Sequence, residues 1–319
     1  MKLSLCPQAL YHLSLPEGLD FIASLEGVEA LELPVHKENP WVDLEELLGG
    51  KAGEFQDLLS ARGLRLSALS NHQEGQLLLG PHHSDTDRIH RGGPAEKSSF
   101  AEERLLRTGR LAAEMGVGLV VGFLGCEDYS RFFPWPDPKG WESMIPAFRE
   151  KALPILDAYA DMGVAFAQEP HPKQMVFNIE TALESVEILG RHPAWGFNLD
   201  PANLLLAGVD PVVFAAELGD RIFHVHGKDG EVVRHNQARS GLLARGDWKR
   251  RDRGFRFRVP GWGDVPWKRL ISEFVLAGYE GCIALENEDP LFDPLDGLRK
   301  GRDFLAPLLP RGKPRERWW

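Results

Sequence analysis

Short apolar runs alternate with longer helical patterns from one end of this chain to the other, and that alternation limits its fold more than any other feature. The runs fall at 3–6, 30–33, 64–69, 118–123, 164–168, 196–199, 222–225 and 282–285. Apolar residues at helical spacing follow each, near 17–26, 41–61, 97–115, 142–162, 178–190, 210–218, 265–277 and 294–308. Strand then helix, repeated, predicts a parallel sheet, because parallel neighbours need a crossover long enough to hold a helix. Eight such units are enough to close the sheet, so the expected fold is α/β, a single (β/α)8 TIM barrel. The 319 residues suit one barrel, for which about 250 residues before insertions is typical.

Local signals set several boundaries. Asn178 is placed to cap a helix carrying Ile179, Leu183, Val186 and Leu189, and Gly190 to stop it. Asp264 is expected to cap the helix that carries Trp267, Leu270, Ile271 and Phe274. Pro154 falls inside 142–162 and is expected to kink or divide that helix. Three connections, 70–96, 124–141 and 227–263, are too long for plain turns and read as long loops after strands 3, 4 and 7. In a barrel all three rim one mouth, where long loops serve binding. No linker or repeat interrupts the pattern, so residues 1–310 read as one barrel domain and 311–319 as a basic tail.

Four polar residues sit where four of the apolar runs end: Glu169 after VAFAQ, Asp200 after WGFNL, His226 after IFHV and Glu286 after CIAL. Barrel active sites are assembled from residues at the carboxyl ends of different strands, so all four are expected in one mouth. Three carboxylates and an imidazole suit one hard divalent cation, with Mn²⁺ favoured and Mg²⁺, Co²⁺ or Zn²⁺ as alternatives; structural zinc sites more often use thiolates. Four protein ligands leave two places on an octahedral ion for adjacent oxygens of a hydroxy-ketone, whose C–H the metal would acidify.

Bulk properties narrow the partners. A net charge of −10 and a pI near 5.6 oppose nucleic-acid binding. The longest apolar run, 117–124, is far short of the roughly 20 residues of a membrane-spanning helix, and no membrane partner is expected. Cys6, Cys126 and Cys282 lie in or beside expected strands and read as reduced core thiols of a cytoplasmic protein. A homo-oligomer is left open by the sequence.

The stretches QEPHP (168–172), NLDPANLLLAG (198–208), FHVHGKD (223–229), RVPGWGDVPW (258–267) and GYEGCIALENED (278–289) resemble the sugar phosphate isomerase/epimerase family. That family belongs to the xylose isomerase-like barrels and includes ketose epimerases, hydroxypyruvate isomerases and inosose dehydratases. The resemblance implies one divalent metal on Glu169, Asp200, His226 and Glu286. It also implies that Glu169 and Glu286 exchange the proton next to the carbonyl of a small carbohydrate, through an enediolate. Return to the other face of the same carbon would epimerise, and return to the neighbouring carbon would isomerise. Expulsion of a β-hydroxyl from the same enediolate would make the enzyme a lyase, the alternative reading. Where the ketose epimerases carry a substrate-contacting histidine, this chain has Asn203, which still hydrogen-bonds but cannot carry charge.

Further substrate contacts are expected from His171, Lys228 and His72, each near a strand end, with a rim role for His171, plain solvation for Lys228 and a turn role for His72 as the alternatives. The segment 245–258 holds seven basic and two acidic residues; it reads either as a solvated face or as an anion clamp led by Arg256 and Arg258. Trp135 and Trp262 are candidates for an apolar wall against a sugar ring. His82, His83, Asp85, Asp87 and His90 fit no ligand spacing and read as a surface lid. DNA-repair endonucleases of this superfamily use several zinc ions and more ligands than the single set here. A non-catalytic barrel would not be expected to keep that set intact.

Overall fold

Each of the eight expected strand regions forms a strand in the computed structural model, which describes residues 1–312. They are β1 (Lys2–Leu5), β2 (Val28–Pro34), β3 (Arg65–Asn71), β4 (Leu119–Gly122), β5 (Ala165–Gln168), β6 (Trp195–Leu199), β7 (Ile222–Gly227) and β10 (Cys282–Leu285). All neighbours pair in parallel, and β1 closes the barrel by pairing with both β2 and β10. The remaining two strands, β8 (Asp229–Val232) and β9 (Phe255–Arg258), form a separate antiparallel pair. The basic tail lies outside the described residues from position 313 onward.

Alternation along each strand divides the side chains between two environments. Outward-facing Leu31, Val120, Phe166, Trp195, Phe197 and Ile283 are fully buried beneath the helices. Phe166 stacks on Trp195 at 6.0 Å, and the indole N–H of Trp195 donates to Ser185 Oγ at 3.0 Å. Burial of each such large side chain is worth about 1.5–3 kcal/mol. The inner face is different. Ala68, Val121 and Ala167 make a small apolar plug. Around it the inner positions are polar: Glu32, His224 and His226 are all shut off from solvent, as are Ser4, Ser70 and Asn198. A barrel whose centre is lined this way carries a polar site rather than a packed aliphatic core.

Four local expectations need correction. The segment 41–61 is not one helix: Asp43 caps a short turn at Leu44–Glu46, a wide turn follows over Leu47–Lys51, and a second helix runs Ala52–Ser60. Gly50, at φ 117°, takes a conformation closed to other residues and breaks the run. Conversely, Pro154 does not divide its helix, which runs Ile145–Asp161. Pro154 and Glu150 are both exposed, so the carbonyl that Pro154 deprives of a partner lies on the solvent side of the helix, while Ala152, Ile155, Leu156 and Tyr159 hold the buried face. Asp264 caps nothing; its carboxylate accepts from Val232 N at 2.7 Å, and Pro266 occupies the cap position. Finally, 227–263 is not plain loop but the β8–β9 hairpin with a short helix at Arg234–Ser240, packed through Phe255 on Ala202 and Leu206. By contrast, Asn178 caps its helix as expected, accepting from Thr181 N at 2.9 Å. Among the described residues no helix is long and apolar enough to cross a membrane.

Candidate metal centre

Glu169, Asp200 and Glu286 each follow the last residue of a barrel strand, and His226 lies near the end of β7. Backbone hydrogen bonds to the neighbouring strands fix two of these positions: Glu169 N donates to Gly122 O at 3.1 Å and Glu286 N to Gly227 O at 3.3 Å. Asp200 is held differently. One of its carboxylate oxygens caps the helix Pro201–Leu206, accepting from Ala202 N at 2.8 Å and Asn203 N at 3.1 Å. The other is thereby turned into the mouth.

The four side chains converge on one atom. His226 Nδ1 lies 3.2 Å from Glu169 Oε2, 3.1 Å from Glu286 Oε2 and 3.6 Å from Asp200 Oδ2. Yet Nδ1 makes no hydrogen bond although it is buried, and Glu286 Oε2 has only the Lys228 ammonium beside it, at 2.9 Å. Buried polar atoms are usually paired, and an orphan of this kind marks an ordered water, an ion or a working group. A hard oxygen set around an imidazole nitrogen is the chemistry of a Mn²⁺, Co²⁺ or Zn²⁺ site, so the residues present fit a divalent ion. Among the described residues, Glu169, Asp200 and His226 bring ligand atoms within 4.8 Å of one another.

The electrostatics point the same way. Burial opposes charge on His226, but the carboxylates of Glu32, Glu169 and Glu286 outweigh it and raise its pKa well above the usual range. Burial likewise opposes ionisation of Glu286, but Lys228 and His226 draw its carboxyl down to about 2. For Glu169 burial is again overcome, by the charge of the nearby His226 and by the hydrogen bond with His72, and the carboxyl sits well below its usual range. This surplus of negative charge is what a divalent cation would neutralise.

Three residues that sequence reasoning passed over surround the candidate ligands. Glu32, on the inner face of β2, takes His226 Nε2 at 3.1 Å and His224 Nε2 at 2.9 Å on one oxygen. A carboxylate on the far nitrogen orients a ligating histidine and leaves its other nitrogen free. Asn198 Nδ2 donates to Glu169 Oε2 at 2.8 Å. The available signal was an acid inside the apolar run ALELP, a poor place for a charge unless something inside the barrel meets it.

The expected substrate contacts scatter. His72 reaches Glu169 Oε2 at 3.0 Å, edge-on to Phe123. Asn203 bridges two of the candidate ligands, donating to Glu169 Oε1 at 2.5 Å and Asp200 Oδ2 at 3.0 Å, with its own oxygen unpartnered. The Lys228 ammonium lies 2.8 Å from Asp200, 2.9 Å from Glu286 and 3.0 Å from Glu288, over the Phe257 ring. His171 is turned to the Pro172 carbonyl at 2.5 Å and packs on Phe123. Arg258 is taken up by Glu231 at 2.6 Å and Asp289 at 2.9 Å, and Arg256 by the Arg251 carbonyl at 2.6 Å. Trp262 is half-exposed against Phe292, and Trp135 stands 75% exposed in its loop. In the 82–90 segment, Asp87 pairs with the buried Lys97 at 2.6 Å and His90 stacks on Phe100.

A family model described as a xylose isomerase-like TIM barrel matches residues 19–308. The chain is 32% identical over 336 aligned positions to the "Uncharacterized protein YfiH" of Bacillus subtilis, covering 97% of this chain and 99% of that protein. It is 30% identical to the inosose dehydratase of Salmonella typhimurium over 34% of this chain and 36% of that one. Among solved structures, the 3-keto-D-glucoside 4-epimerase YcjR of E. coli shares the fold at a TM-score of 0.67, with 16% identity over 97% of this chain and 98% of that chain.

Proposed function

We propose that this chain, which belongs to the xylose isomerase-like TIM barrel family, is a divalent-metal-dependent isomerase or epimerase of a small ketose or keto-sugar. The observation that carries this reading is the convergence of three carboxylates on the unpartnered, buried Nδ1 of His226. Glu169, Asp200, His226 and Glu286 would hold the ion, with Mn²⁺ favoured and Mg²⁺, Co²⁺ or Zn²⁺ as alternatives. When bound, such an ion polarises a substrate carbonyl and acidifies the C–H beside it.

The chain's own residues do the rest. Glu169 and Glu286 come from β5 and β10, on either side of β7 in the barrel order, and both carboxyls are held ionised. One would remove the proton and the other return one. Asn203 and His72 steady Glu169 by hydrogen bonds, which keeps that carboxylate aimed. Lys228 balances negative charge beside Asp200 and Glu286. Three buried free cysteines suit a reducing compartment, and we place the enzyme in the cytoplasm.

A lyase at the same ligands is the second reading. Exposed Glu288, 3.0 Å from Lys228 at the mouth, supplies a further acid group from which a departing hydroxyl could be protonated. The partial likeness to an inosose dehydratase agrees with it.

The test is isotope exchange. Manganese-loaded protein incubated in D₂O with a panel of ketoses and inososes should place deuterium next to the carbonyl of one of them. Glu169→Gln and Glu286→Gln should each lower that exchange by roughly a hundredfold to ten-thousandfold. Product analysis separates an inverted or isomerised sugar from a dehydrated one. Wild-type exchange in both variants, or folded protein that takes up no metal on dialysis, would sink the reading.

A further inference from the structure

We infer that the β8–β9 hairpin is a docking surface for a second copy of this chain, whose acidic helices Ile179–Ile188 and Pro211–Leu218 receive its basic, aromatic tip. The inference does not depend on the reaction proposed above and concerns surfaces outside the metal centre.

The two surfaces are opposite in charge. Residues 234–256 hold eight Lys and Arg against two acids, in a chain whose net charge is −10. Within them Arg245, Lys249 and Arg251 are exposed, and none has an ion-pair partner among the described residues. Leu243 is 61% exposed and Trp248 41%, with the Arg253 guanidinium lying over the indole at 3.8 Å. The helices carry the counterpart, for neither contains a Lys or Arg. On the first, Glu180, Leu183, Glu184 and Glu187 recur at helical spacing and are all exposed on one face. On the second, exposed Val213 and Glu217 repeat that combination one turn apart. Of these four acids only Glu187 is paired among the described residues, with Arg191 at 2.5 Å.

Both surfaces lie on one flank of the barrel. The hairpin packs through Phe255 on Ala202 and Leu206 of the helix Pro201–Leu206. That helix touches Pro211–Leu218, which in turn touches Ile179–Ile188. Two patches on one flank, each complementary to the other, are satisfied twice over when a two-fold axis relates two copies. Exposed large apolar side chains next to arginines match the make-up of protein interfaces. A polyanion fits less well. Outside the hairpin the chain carries a surplus of acids, so its body repels a nucleic acid or an anionic membrane.

The docking surface is joined to the candidate metal centre through one stack of side chains. Trp248 packs on Phe257 at 4.9 Å, and the Lys228 ammonium lies over the Phe257 ring at 4.9 Å while touching Asp200 and Glu286. A second copy seated on Trp248 covers the solvent side of that stack.

The experiment is sedimentation equilibrium of the full-length chain with charges reversed on either surface. The wild type should sediment as a dimer in about 0.05 M salt and dissociate more readily in about 1 M salt, where screening acts within roughly 3 Å. One variant carries Lys249→Glu with Arg251→Glu, the other Glu180→Lys with Glu184→Lys. Each should raise the dimer dissociation constant roughly tenfold to a hundredfold. Mixed in equal amounts, the two reversed chains should pair again, because both contacts of the mixed dimer then join opposite charges. Far-UV circular dichroism and manganese uptake like the wild type's show that a variant is folded, so that dissociation is not mistaken for unfolding. A wild type that stays monomeric in low salt, a dimer that neither reversal weakens, or reversed chains that remain apart when mixed would overturn the docking surface. A monomer that binds heparin or phosphatidylserine vesicles through Lys249 and Arg251 would overturn it as well.

Discussion

At Asp229 a buried carboxylate accepts from Gly230 N, Val265 N, Gly261 N and the Trp267 indole at 2.8–3.1 Å, whereas three residues earlier His226 Nδ1 faces three carboxylates with no hydrogen bond at all. Both regions lie at the end of β7 and both bury negative charge. Around Asp229 the neutral N–H donors are fixed by backbone, and Gly263 packs so closely that a Cβ there would meet the carboxylate at 2.3 Å. That carboxylate organises the turn that returns from the β8–β9 hairpin. Around His226 the donors are too few for the acceptors. The difference lies in the donors: the Asp229 carboxylate has its lone pairs filled by fixed N–H groups, whereas His226 Nδ1 lies among three carboxylates with no hydrogen bond of its own.

Three measurements press on that contrast. The largest effect should come from Asp229→Ala, which strands four donors and should cost about 4 kcal/mol of stability in urea unfolding. The protein that remains folded should still take up its metal; a stable but metal-free variant would place Asp229 on the working side instead. Next, Glu32→Gln should weaken metal binding by roughly tenfold to a hundredfold by loosening the orientation of His226, read by competition with a chelator. No change in affinity would reduce Glu32 to a core filler.

The smallest effect is in pH dependence, and its sign differs between the two regions. In metal-stripped protein the Glu286 carboxyl, drawn down to about 2 from an ordinary 4.5, adds stability that is complete above the ordinary value and lost as pH falls toward the folded one. Asp229 runs the other way. Burial raises its carboxyl despite the hydrogen bonds it accepts, so its ionised form costs stability at neutral pH, and the cost is relieved as pH falls through the folded value toward 3.8. Urea midpoints measured from about pH 7 to about pH 3 should fall less steeply in Glu286→Gln than in the wild type, and an unchanged slope would contradict the assignment.

How much could be read in advance follows from which distances matter. The alternation of apolar runs and helical spacings is a local property, and it specified the barrel, its strand positions and its closed parallel order before any contact was known. Glu169, Asp200, His226 and Glu286 were legible because strand ends are readable and parallel strands of a barrel end on one face. Local signals failed where packing overrode them. Pro154 sits in an unbroken helix because the carbonyl it leaves without a partner lies on the solvent side, and Asp264 gives its carboxylate to Val232, 32 residues away, rather than to the helix beside it.

What the sequence determined by itself was the fold and the four strand-end side chains, since both follow from period and position along the chain. What only the tertiary structure decided was which of the other polar residues belong with them. Glu32 meets His226 across 194 residues, and His72 meets Glu169 across 97. No spacing rule carries such information, because closing the barrel brings β2 opposite β7, and only burial reveals which polar atoms were left without a partner.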